Sequence, residues 1–251
     1  MERVLRIATC LAECGYGAQV GQLAATARAL RADAQLWAAH ARHRGPKGRT
    51  CLMHATQRGD TLRALFLLEH GAEVECVAVE IWRQMTTPLM FASKGGHLET
   101  VRLLVERGAN VNARTPALGM TALMLACVGS HPQTVRYLVQ RGGADVNVAC
   151  TDDGTTALMI ACSHGRHDTV RFLVQRGGAD LNLACTDTGT TSLMIASRSG
   201  YLEIVRVLVE GGANALAVSA SDKTALMYAR EYGHLEIAQF LVEHGVSSPA
   251  R

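Results

Sequence analysis

From about residue 49 the chain repeats one arrangement of apolar and polar positions. In the stretch that begins at Thr87, Leu89 and Ala92 lie three apart, which puts them on one face of a short helix. The Thr before them can cap that helix by accepting a hydrogen bond from an orphan backbone N–H. Gly96 closes the helix in a turn. A second helix follows, in which Val101, Leu104 and Val105 have the i, i+3, i+4 spacing of a buried stripe. Arg102 and Glu106 fall outside the stripe and face water. Gly108 suits the left-handed position past the helix end, and Val111 and Asn112 lead into a polar stretch that ends at the next Thr. Neither helix is long enough to stand alone in water, so each unit must bury its apolar faces against a neighbour.

The same unit recurs. Thr-x-Leu-Met appears as Thr50-Cys-Leu-Met53, Thr87-Pro-Leu-Met90, Thr121-Ala-Leu-Met124, Thr156-Ala-Leu-Met159, Thr191-Ser-Leu-Met194 and Thr224-Ala-Leu-Met227. The threonines are 37, 34, 35, 35 and 33 residues apart. An Ala two residues after each Met, a turn, an apolar stretch such as Val170-Arg-Phe-Leu-Val174, and a Gly-Ala complete the pattern. A period of this length marks a repeat architecture. The motif resembles the ankyrin repeat, whose units open on Thr-Pro-Leu-His, and the resemblance covers residues 49–246. It implies an all-α fold, a solenoid of six helix–turn–helix units with projecting loops. The units span about 49–82, 86–119, 120–153, 155–188, 190–222 and 223–251. One departure is constant: Met stands where the family has His. A Met cannot brace a turn as His does, and is expected to pack apolar surface.

Residues 1–48 do not follow the period and read as a small N-terminal helical segment with a basic linker, His40-Ala-Arg-His-Arg-Gly-Pro-Lys-Gly48. One reading makes the segment a cap for the repeats, since a terminal unit needs one polar face. In the other, Val4-Leu-Arg-Ile7, Leu11, Val20, Leu23, Leu30, Asp33 and Leu36-Trp37 give residues 1–40 a similarity to an F-box, which binds the adaptor of cullin-type ubiquitin ligases. The family's central Val-Cys-Arg is here only Ala25-Thr26-Ala27-Arg28.

Composition agrees with a layered core. Aromatic residues are only 4% of the chain, against 48% hydrophobic, so the core is built from Leu, Val, Ala and Met. No run reaches the eighteen or so apolar residues of a membrane span, and Arg6 and Glu13 interrupt the beginning of the chain too early for a signal peptide. A cytoplasmic location is expected, with a nuclear one open. Residues 1–49 carry a net charge of +5 and the remainder −2. The basic linker lacks the interleaved aromatics of a nucleic-acid binder, so no nucleic-acid partner is expected.

The eight cysteines include Cys127 and Cys162, and Cys150 and Cys185, each pair one repeat apart. They read as echoed positions and free thiols rather than as zinc ligands, which cluster at closer spacing. His97, His131 and His234 recur at one turn and are structural in the family. No phosphate loop follows a strand, and no nucleophile lies in a strained elbow. The chain is read as a non-enzyme without metal or cofactor, and as a monomer that binds a partner protein.

Binding in the ankyrin family uses the loop tips and the outer positions of the first helices. The residues here that match the helical positions are Gln57, Arg58, Lys94, Val128, Ser163, His164, Arg198, Ser199, Glu231 and Tyr232. Those that match the tips include Arg114, Leu118, Met120, Asp152, Asp153, Thr155, Asp187, Thr188 and Thr190. Trp82, in the longest loop, either packs on its own hairpin or anchors a partner. The surface is expected to be basic toward the first units and acidic at the middle tips. Two functions follow: an interaction scaffold with residues 1–48 as a cap, or a substrate-recruiting ubiquitin-ligase subunit with residues 1–40 as the docking arm.

Overall fold

Each of the six tetrapeptides starts a helix. In a computed structural model, which describes residues 49–76, 78–79 and 85–244, the threonines 50, 87, 121, 156, 191 and 224 all have extended backbone. Each hydroxyl oxygen accepts from the backbone N–H of the Met three residues on, at 3.3–3.4 Å. All six threonines are buried, where an unpaired helix N–H would be costly. The cap is therefore satisfied inside the protein, where solvent cannot substitute for it.

Contacts divide the chain into two units, residues 1–117 and 118–251. The first holds α1 (Cys51–Arg58), α2 (Thr61–Glu69), α3 (Pro88–Lys94) and α4 (Leu98–Glu106). Here α1 packs on α3 and α2 on α4, with Leu52, Ala55, Leu89 and Ala92 at 1% exposure or less between them. The His97 ring lies at the turn between α3 and α4, with Nε2 3.1 Å from the carbonyl of Gln57. Gly59 makes room for it: a Cβ there would come within 2.4 Å of His97 Nδ1.

The second unit holds four helix pairs. Its inner helices are α5 (Ala122–Val128), α7 (Ala157–Ser163), α9 (Ser192–Ser199) and α11 (Ala225–Glu231). The outer ones are α6 (Pro132–Gln140), α8 (His167–Gln175), α10 (Leu202–Glu210) and α12 (Leu235–Glu243). Inner helices stack α5 on α7, α7 on α9 and α9 on α11; outer helices stack in the same order. The motif leucines Leu123, Leu158, Leu193 and Leu226, with Ala126, Ala161, Ala196 and Ala229, are closed off from water. Alanine at these positions lets the helices approach closely, and leucine fills the layer between them. The stripe residues Val135 and Leu138, Val170 and Leu173, and Val205 and Leu208 are fully buried behind them. His234 repeats the turn contact, its Nε2 3.1 Å from the Arg198 carbonyl.

The expected all-helical packing is present, with twelve helices among the described residues. Strand pairing is confined to loops. Ala78–Val79 (β1) pairs antiparallel with Met85–Thr86 (β2) in the longest loop, and single bridges join Ala149 to Thr156 and Ala184 to Thr191. These short pairs leave the all-α class unchanged. The pairs are too short to leave a periodic signal. The N-terminal segment 1–48 and Trp82 lie outside the described residues. Among those described, no helix is long and apolar enough to cross a membrane.

The methionines go further than expected. Met53, Met90, Met124, Met159 and Met194 are 1% exposed and pack apolar surface, as anticipated. In addition, the Cys150 thiol donates to Met124 Sδ and the Cys185 thiol to Met159 Sδ, both at 3.7 Å. A thioether is a weak acceptor, but the contact ties the base of each projecting loop to its own first helix.

Leu158 lies in the middle of the layer between α7 and its neighbours, 1% exposed. Leu158→Ala is expected to cost about 2–5 kcal/mol in denaturant unfolding. A loss below about 1 kcal/mol would place Leu158 outside the core.

Candidate functional site

The loops before α7 and α9 are built alike. Cys150 N–H donates to the Thr155 carbonyl at 2.8 Å and Cys185 N–H to that of Thr190 at 3.0 Å, which closes each loop into a small hairpin. Gly154 sits at φ +73°, and a Cβ there would come within 2.8 Å of the Thr186 backbone N, so the position has both the backbone and the space for glycine alone. That closeness has a purpose. Thr186 N–H donates to the Asp153 carbonyl at 2.8 Å. The same link joins Thr151 N–H to the Leu118 carbonyl and Ala220 N–H to the Thr188 carbonyl, at 3.0 and 2.9 Å. The tips of the second unit are thus bonded serially, backbone to backbone.

Side chains hold each tip's shape. Asp153 Oδ1 accepts from Thr155 N–H at 2.8 Å, and Oδ2 accepts from the Thr155 hydroxyl at 2.6 Å. Burial pushes the Asp153 carboxyl up, but these bonds outweigh it and leave the group below its ordinary value. Asp187 Oδ1 accepts from Thr188 N–H at 2.7 Å. Thr190 departs from the expected surface role. It is 7% exposed and its hydroxyl donates to Thr188 at 2.8 Å, so it supports the tip from within.

Between the two tips and the inner helices lies a cleft of about 280 Å³. Asp153 and Thr155 border it from one tip, Asp187 and Thr188 from the next, and Ser163 of α7 and Arg198 of α9 from the helices. All six are residues expected from the sequence. The apolar wall, which no single repeat announces, is made by Met159, Cys185 and Ile195. Ile195 and Cys185 are separated from the polar rim by only a few residues, and their shared wall follows from the stacking of α7 on α9, which a single repeat does not reveal.

The other expected residues are dispersed. In the second unit, Asp152 is exposed beside Asp153, and His164 Nδ1 lies 2.9 Å from both the Ser163 hydroxyl and the Ile160 carbonyl. Met120, Val128 and Ser199 are half-buried. Glu231 pairs with Lys223 at 2.6 Å, and Tyr232 is exposed. In the first unit, Gln57 and Arg58 are exposed at the end of α1, Lys94 at the end of α3, and Arg114 in the loop beyond α4. Arg49 donates to Gln57 Oε1 at 3.2 Å.

Family models for "Ankyrin repeats (3 copies)" match residues 16–115, 113–185 and 178–250. The chain belongs to the ankyrin-repeat family. The first match begins inside the segment read as N-terminal helices. Among solved structures, the chain is similar to the ankyrin repeat domain of Bcl-3, described as a unique member of the IkappaB protein family. Identity is 30% and the TM-score 0.70, over 82% of this chain and 90% of that one. No curated protein sequence matches the chain. The ankyrin fold is a protein-interaction module, and the second unit shows how this chain builds one: rigid helices below, serially bonded tips above.

The thiols of these ankyrin repeats fall into two kinds. Cys127 of α5 and Cys162 of α7 are fully buried at equivalent positions. Burial pushes Cys127 up to about 12, and it pushes Cys162 up as well, helped by the neighbouring Cys127 charge. Such thiols are inert packing groups. Cys150 and Cys185 are half-buried at the tips. Burial also raises Cys185, against the opposing hydrogen bonds of Thr155 and Thr188. Donor atoms of Cys150, Asp152 and Asp153 lie within 4.8 Å of one another, a grouping the spacing did not suggest. Cys150 and Asp153 are occupied by the tip's own bonds to Met124 and Thr155.

Maleimide labelling of the folded protein near neutral pH, mapped by peptide mass, is expected to modify Cys150 and Cys185 at least about ten-fold faster than Cys127 and Cys162. Equal rates would mean that the inner helices open readily and the layer is not a closed core.

Proposed function

We propose that the chain holds a partner protein on the inner surface of its second unit, with basic side chains of the partner meeting the acidic tips. The observation that carries this reading is the cleft that gathers six polar residues from two tips and two inner helices around an apolar wall. Two carboxylates, Asp153 and Asp187, and one guanidinium border it, so it suits a cationic side chain that pairs with the carboxylates. The tips are held by backbone bonds before any partner arrives, so little entropy is lost on docking. The compartment is a reducing one, cytoplasmic or nuclear, where tip thiols stay free.

The competing role for the aspartates is purely local, since Asp before Gly commonly makes a tight turn. The hydrogen bonds of Asp153 to Thr155 fit that role and argue for leaving it intact. Asp152 and Asp187 are the exposed pair. Asn at both positions keeps most of the turn chemistry and removes the charge. A partner recovered with the full chain, and compared with one recovered without residues 1–48, supplies the ligand and tests the docking-arm alternative directly. Against that partner, Asp152→Asn with Asp187→Asn is expected to lower the on-rate and flatten its salt dependence, since rim charges act mainly on encounter. An unchanged on-rate and salt slope would reduce the aspartates to turn residues.

A further inference from the structure

The outer helices carry a charge pattern that the inner surface does not use. In α4 the sequence of charges is Glu99, Arg102, Glu106, and in α10 it is Glu203, Arg206, Glu210. Each arginine pairs with the acid three residues before it: Arg102 with Glu99 at 3.4 Å and Arg206 with Glu203 at 3.6 Å. At the equivalent positions α6 has Gln133, Arg136, Gln140, and α8 has Asp168, Arg171, Gln175. Three glutamates are thus replaced by their uncharged near-isosteres while both arginines stay. The remaining acid, Asp168, is one methylene shorter. Among the described residues, no carboxylate lies within ion-pair distance of Arg136, Arg171 or Arg176.

These side chains converge. Arg136 and Gln140 from α6, Arg171 and Gln175 from α8, and Arg176 just past the end of α8 border one cleft of about 360 Å³, with Asp168 as its single acid. The guanidinium of Arg136 lies over the Phe172 ring, 5.7 Å from its centre. Arg206 covers Phe240 in the same way at 4.9 Å, so stacking is a structural habit of this position and accounts for where Arg136 sits. It does not account for Arg171 and Arg176, or for the missing glutamates. Three guanidiniums around one acid raise the local positive potential, and the planar donor fork of arginine matches the oxygens of a phosphoryl group in pairs. Nucleic acid fits poorly, because base stacking needs an open ring and Phe172 is only 6% exposed.

We propose that the cleft between α6 and α8 binds a phosphorylated side chain of a partner protein. The ligand chemistry is a phosphoryl dianion. The half-open shape between two adjacent helices suits a group presented on a polypeptide, and the fold is one that binds proteins. None of the residues that border this cleft borders the cleft at the tips, so this site and the proposed inner surface stand or fall separately.

The test is fluorescence anisotropy with the full chain and a labelled peptide of glycine and alanine bearing one phosphoserine. The unphosphorylated peptide is the first control. Saturable binding of the phosphopeptide alone is expected, weakened about ten-fold or more by the double variant Arg171→Gln, Arg176→Gln. Both positions are exposed, so the melting temperature should not move. Arg206→Gln, which removes an arginine already paired and stacked, should bind as the parent protein does. The proposal is overturned if the phosphopeptide does not bind, if both peptides bind equally, or if the double variant binds as tightly as the parent. Inorganic phosphate that binds as tightly as the peptide, with the same dependence on Arg171 and Arg176, would assign a free anion to the cleft and overturn the protein partner.

Discussion

The helices among the described residues are seven to nine residues long, too short to persist in water alone, and the array depends on how that shortfall is met. Within each unit the inner helices give their Leu and Ala faces to one another, and the outer helices do the same with their apolar stripes. Burial of these faces supplies the free energy that propensity cannot. The arrangement also fixes what can vary. Positions that touch the next layer are held by apolar and small polar residues, whereas the charged residues lie at the exposed helix ends, on the outer helix faces and at the tips. Function can therefore be written on the array without disturbing the layer that holds it together.

The tips illustrate how the layer controls the surface. Their serial backbone bonds form only if successive helices stack at the correct height, because Thr186 N–H must reach the carbonyl of Asp153 across a gap that only Gly154 leaves open. The polar residues that border the cleft inherit their positions from that register. Asp153 and Asp187 come from different loops, yet they are placed by the packing of Leu158 and Leu193 beneath them. Rigidity and composition are in this way separable, which is the property a binding scaffold requires.

Much of this was legible in the residues. The six threonine caps, the buried Leu and Ala, and the stripe in the second helices could be read because each occurs six times in register, so that local propensity and period agree. Asp153, Thr155, Ser163, Asp187, Thr188 and Arg198 could be picked as surface positions for the same reason. Contacts set by side-chain placement rather than by the period were not legible. Thr190 looks like any tip residue until its hydroxyl is seen to serve Thr188. The thiol contacts of Cys150 and Cys185 to Met124 and Met159 recur with the repeat, but each joins positions 26 residues apart, and neither residue alone signals the contact. The glutamines of α6 and α8 are visible once the helices are aligned, but their consequence appears only when Arg136, Arg171 and Arg176 border one cleft.

The central claim is that nearest-neighbour burial, rather than any single helix, holds the second unit and its tips in register. Leu193 lies in α9, between α7 and α11, at 1% exposure. Native-state hydrogen exchange on the full chain carrying Leu193→Ala tests the claim most directly. Protection is predicted to fall together in α7, α9 and α11 and at the amides of Thr186 and Ala220, which bridge the tips. A loss confined to α9, with its neighbours and the tip amides as protected as in the parent protein, would contradict it.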